Sequence, residues 1–67
     1  MRKTYISIYV PELQDNFQAL WNNQEQPNQG DIIKVQNPLY GNITYYAEIL
    51  SVCKEDYQMK ARDFMCV

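Results

Sequence analysis

The chain has 67 residues, among them eight Asp and Glu, six Lys and Arg, two cysteines and no histidine. Without histidine, the common nucleophile–base pairs are missing. General acid–base chemistry needs two carboxyls facing one cleft, whereas the acids here gather in the first turn of a predicted helix (Glu12, Asp15) and in turns. The two glycines, Gly30 and Gly41, stand too far apart for a phosphate-cradling loop. Cys53 and Cys66 fall short of the four ligands of a zinc site. They read as small buried hydrophobes, and a reducing cytosol disfavours a disulfide between them. No catalytic residue, metal or cofactor is expected.

Binding residues are better represented. Six of the aromatics are tyrosines. Tyr40, Tyr45 or Tyr46, and Tyr57 fall near two predicted hairpins, where an aromatic cage could hold a methylated cation by cation–π attraction, with Glu48 adding charge. The simpler reading is that these rings fill a sheet and wet their hydroxyls. Lys34, Lys60 and Arg62 occupy outward strand positions, and Lys3 and Tyr5 extend that face. Interleaved with tyrosine, they suit stacking and phosphate contact with single-stranded nucleic acid, or simply a solvated face whose lysines discourage edge pairing. The net charge of −2 argues against a duplex-DNA binder, whose affinity comes mostly from neutralising phosphates. Finally, Tyr46, Leu50, Val52 and Phe64 are surplus apolar residues. Left uncovered, they would form a patch for another protein or a second copy of the chain.

The elements that would carry these residues are short. Lys3–Val10 alternates on a period of two and predicts a strand. Pro11 then suits a first helical turn, Glu12 and Asp15 favour the positive end of a helix dipole, and Leu13, Phe17, Leu20 and Trp21 make an apolar stripe. A helix ending at Asn22 or Asn23 is expected. Residues 24–30 are a polar loop. Asp31–Gln36 is a second strand with Ile33 and Val35 inward. Residues 37–42 turn the chain with proline and glycine. Ile43–Val52 is a third strand, apolar on both faces and so packed on two sides. Cys53-Lys54-Glu55-Asp56 is a charged turn, Tyr57–Arg62 a fourth strand with Tyr57, Met59 and Ala61 inward, and Asp63–Val67 an apolar tail that closes the structure.

These readings give one small domain over residues 1–67, α+β but mostly β, in the order β-α-β-β-β. Gly30-Asp31-Ile32-Ile33-Lys34-Val35, then Tyr45 to Val52, then Tyr57-Gln58-Met59-Lys60-Ala61, resemble the small SH3-like barrels of the Tudor and KOW kind. That resemblance covers about half the chain. It implies a barrel and, through the tyrosines, a cage. The competing architecture is a four-stranded antiparallel sheet with one helix across it.

A chain this short buries about 60% of the surface that its unfolded form exposes, so a face or loop is the natural working surface. The leading expectation is a non-catalytic protein-binding module. In size and style it resembles accessory proteins of phages and mobile elements, and it equally suits a small regulatory subunit acting on a larger protein. The alternatives are a single-stranded nucleic-acid-binding barrel and a small-ligand binder with a tyrosine cage. No apolar run approaches the roughly 18 residues of a membrane span, and residues 4–10 lack the continuous apolar stretch of a signal peptide. A cytoplasmic protein is expected, and the sequon at Asn42-Ile43-Thr44 is read as chance.

Overall fold

A computed structural model describes residues 4–54 and 57–67. The five strands are β1 (Thr4–Val10), β2 (Asp15–Trp21), β3 (Ile32–Gln36), β4 (Tyr45–Lys54) and β5 (Phe64–Cys66). They close into a barrel in the order β1-β2-β5-β3-β4. All pairs are antiparallel except β2 with β5. Closure removes sheet edges that would otherwise template aggregation.

β1 is the central strand of the longest ladder. Ile6, Ile8 and Val10 point into the barrel and are fully buried, as their alternation requires. A register shift between Ser7 and Ile8 against β4 bends the strand, so that it can pair on both sides of a tightly curved barrel.

The expected helix is a hairpin and a strand. Leu13 N–H donates to the Val10 carbonyl at 3.1 Å and Gln14 N–H to the Pro11 carbonyl at 3.1 Å. Gln14 then takes a left-handed φ of 52°, and Asp15 pairs back onto Val10. Proline therefore serves the turn here, with its fixed φ. From Asp15 onwards the alternation is of period two. Phe17 and Ala19 are buried, Trp21 packs against the core, and Asn16 and Gln18 face out. The same apolar residues fit both periods. The seven-residue β1 decides between them, because its second edge needs an antiparallel neighbour.

The predicted fourth strand is also absent. Residues 57–63 form a loop with no strand pairing, and Met59 and Ala61, expected inward, are exposed. The closing strand is instead the three-residue β5, cut from the apolar tail. It pairs with β2 through Ala19–Phe64 and with β3 through Val35–Cys66. The architecture is thus a mostly-β five-stranded barrel, neither an open four-stranded sheet nor an α+β layer. Of the expected charged turn at 53–56, Cys53 and Lys54 belong to β4, while Glu55 and Asp56 lie outside the described residues, as does Lys3.

β3 and β4 follow the sequence pattern on their inner faces, but β4 begins at Tyr45 rather than Ile43 and is not packed on two sides, since Tyr46 and Val52 of its outer face are exposed. Gly30 opens β3 with a φ of 92°, a conformation glycine adopts without steric cost. Its N–H meets the Ile49 carbonyl at 2.8 Å. Between the two strands, Asn37 caps a 3-10 turn, Pro38–Tyr40, through its side chain and Gly41 ends it with a φ of 75°.

Phe64, at 0% exposure, is the hub of the core. It stacks on Tyr40 at 5.2 Å and meets Phe17 and Tyr45 edge-on at 4.9 and 6.1 Å. Such pairs add about 0.5–1.5 kcal/mol each beyond the area that they bury.

Candidate interaction surface

Each of β3, β4 and β5 turns alternate residues outward. Ladder register fixes which of them become neighbours. On the outer face, Lys34 of β3 stands opposite Tyr46 of β4, and Ile32 opposite Glu48. On the other side of β3, Met65 stands opposite Gln36. Val67, just past β5, donates its N–H to the Lys34 carbonyl at 3.0 Å. The result is a continuous surface with Ile32, Tyr46 and Val67 exposed by 62%, 59% and 66%. Lys34 extends over it, its Nζ 5.8 Å from the centre of the Tyr46 ring. Toward the 3-10 turn, Met65 also lines a groove with Leu39, Met59 and Ala61. Most of the large exposed apolar side chains of the described residues belong to this face or its groove.

The outer face of β4, β1 and β2 is different, because the loop 57–63 lies across it. Tyr57 packs its ring on Tyr5 at 5.0 Å and donates its hydroxyl to Asp63 Oδ2 at 2.6 Å. The same oxygen accepts the Lys60 N–H at 2.7 Å. Partial burial, with the hydrogen bond and charge of Asp63, pushes the Tyr57 hydroxyl up to about 12. Asn37 anchors the loop from below, donating to the carbonyls of Ala61 (2.9 Å) and Asp63. Arg62 lies on the Phe17 ring at 5.0 Å and pairs with Asp15 at 3.7 Å. Beneath the loop is an open polar cleft lined by Ser7, Gln18 and Leu50, in which Gln18 donates to the Ser7 hydroxyl at 2.9 Å.

The sequence-predicted residues therefore scatter. Of the proposed apolar patch, Tyr46 is exposed, Val52 is partly so, Leu50 is half-buried under the loop, and Phe64 is core. Of the proposed cage, Tyr40 and Tyr45 pack on Phe64 whereas Tyr57 packs on Tyr5. Of the basic face, Lys60 and Arg62 line the cleft and Lys34 sits on β3 instead. Tyr5, expected beside them, is buried. Ile32 of this surface was missed, and Met65 and Val67 were read only as part of an apolar tail. For Ile32 the signal was present in the alternation of β3. For the other two it required knowing that the tail is a strand.

No family model, curated protein or solved structure matches this chain.

Among the described residues, no group of three or more His, Cys, Asp or Glu could hold a metal ion, and no helix is long and apolar enough to cross a membrane. Cys66 is buried, and desolvation pushes its thiol up to about 11 although Asn22 hydrogen-bonds nearby and pulls it down. That environment keeps a thiol protonated and inert. The side chain of Cys53 lies outside the described residues.

Proposed function

We propose that this domain is a non-catalytic protein-binding module, an accessory or regulatory piece acting in the cytoplasm, and that the outer face of β5, β3 and β4 docks either another protein or a second copy of the chain. The observation that carries the reading is the contiguity of Ile32, Tyr46, Val67 and Met65 on one face of a barrel whose core is already filled. Single exposed apolar residues are ordinary, but a clustered set rimmed by polar groups marks an interaction site. The SH3-like likeness is consistent with it, because such barrels present outer faces and loops to partners. The test is affinity capture from the organism that encodes the chain, with Tyr46→Asp and Met65→Asp beside the unaltered protein. A discrete partner lost by both variants, with circular dichroism and thermal unfolding unchanged, supports the reading. A partner retained by both removes this face from it.

A second reading has one observation in its favour. An exposed tyrosine with a lysine over its ring, as at Tyr46 and Lys34, is the kind of platform on which a single-stranded base stacks. Such binding would weaken steeply with salt and fall with Lys34→Glu. Salt-insensitive binding excludes it.

A further inference from the structure

The register of β3 and β4 sets four exposed residues in a two-by-two array. Lys34 stands beside Tyr46, and Ile32 beside Glu48. Within each strand the two members are two residues apart and share the outer face. One diagonal, Ile32 to Tyr46, is apolar. The other, Lys34 to Glu48, carries opposite charges. Neither Lys34 nor Glu48 has an ion-pair partner among the described residues. The face thus offers unspent charge of both signs around an uncovered apolar centre.

This pattern is complementary to itself. Consider a second copy laid face to face, related by a two-fold axis that lies in the interface along the Ile32–Tyr46 diagonal. Residues on the axis meet their own counterparts, Ile32 on Ile32 and Tyr46 on Tyr46. Residues off it exchange, so Lys34 meets Glu48 of the second copy, and Glu48 meets its Lys34. A two-fold interface is isologous by construction, each contact occurring twice. The same rotation turns the strands of one sheet steeply across those of the other, close to the orthogonal arrangement of packed sheets. A two-fold axis running along or across the strands instead faces Lys34 with Tyr46 or Ile32, and leaves Glu48 against an apolar residue. Charge therefore selects the diagonal.

We infer that the occupant of this face is a second copy of the chain, docked about the Ile32–Tyr46 diagonal with two Lys34–Glu48 pairs across the interface. The inference rests on the binding role proposed above and names its partner.

Sedimentation equilibrium from micromolar to millimolar protein tests it. The unaltered chain gives the mass of two copies at the upper end. Lys34→Glu alone and Glu48→Lys alone each place like charges in both pairs, and each variant is monomeric. Mixing the two variants restores two opposite-charge pairs, so the mixture dimerises while its components do not. Circular dichroism of both variants matches the parent, because both residues are exposed. A parent chain that stays monomeric, or single variants that dimerise as well as the parent, would overturn the inference. If the parent is monomeric yet Tyr46→Asp still loses a captured partner, the binding role stands and only its assignment to a second copy falls.

Discussion

The Tyr57 hydroxyl donates to the Asp63 carboxylate at 2.6 Å, and this bond holds an irregular seven-residue loop, 57–63, against the outside of the barrel. The loop delivers β5 between β2 and β3, so it helps to determine whether the barrel closes. The loop lies over the outside of β4, β1 and β2 and leaves Ile32, Lys34, Tyr46 and Glu48 exposed. The molecule therefore divides its exterior into a side sealed by its own chain and a side left open.

Tyr57→Phe removes the bond but keeps the ring on Tyr5. A partly exposed hydrogen bond of this kind contributes about 1 kcal/mol, and urea unfolding near neutral pH should show a loss of that order. The pH dependence follows from the shift. Tyr57 ionises near 10 when unfolded and near 12 when folded, so between these values the folded chain binds more protons. The contribution is fully present below about pH 10 and is lost as pH rises toward about 12. Parent and Tyr57→Phe should therefore converge in stability over that interval. Parallel curves would contradict the assignment.

Asn37 is 2% exposed. It accepts from the Leu39 N–H at 2.7 Å while donating to Ala61 and Asp63. Asn37→Ala removes all three bonds, of which the one to the Asp63 carbonyl is buried, and an unmet buried group costs about 1–3 kcal/mol. A loss of about 2 kcal/mol or more is expected in chemical denaturation. That is a large part of the roughly 3–5 kcal/mol that a core this small supplies.

Phe64→Ala should unfold the protein outright. Truncating a buried phenylalanine costs about 3–5 kcal/mol, as much as the domain has. Tyr46→Ala, at the exposed face, should change stability by about 0.5 kcal/mol or less. A folded, merely weakened Phe64→Ala would show that the aromatic cluster is not the centre of the core.

Cys66, with its thiol raised to about 11, should react with a thiol reagent at neutral pH only as fast as the barrel opens. In a Cys53→Ser background, labelling should accelerate steeply with denaturant. Rapid labelling of the folded protein would mean that β5 frays on its own.

β3 and β4 were legible because Val35, Tyr45, Ala47 and Ile49 face in while their neighbours, Leu50 apart, are polar or aromatic. β2 was not, because Phe17 and Trp21 lie four apart and satisfy helical and extended periods together. Pro11 and Glu12 also suit a helix start as well as a turn. β5 was illegible because three residues cannot show a period. Its strand character comes from filling the space between β2 and β3. The site followed the same division. Tyr46 was readable as outward and apolar from β4 alone, whereas Val67 and Met65 join it only through the pairing of β5 with β3. Phe64, with the same composition and a neighbouring position, is carried to the opposite side by strand alternation.

The most direct measurement is a dilution series of amide chemical shifts by NMR. Self-association through the open face should move the resonances of Ile32, Lys34, Tyr46, Glu48 and Val67 together, with one apparent constant, while those of Tyr57, Lys60 and Asp63 stay fixed. Shifts that do not depend on concentration, or that cluster around the Tyr57 cleft instead, would contradict the open face as the place where a second chain sits.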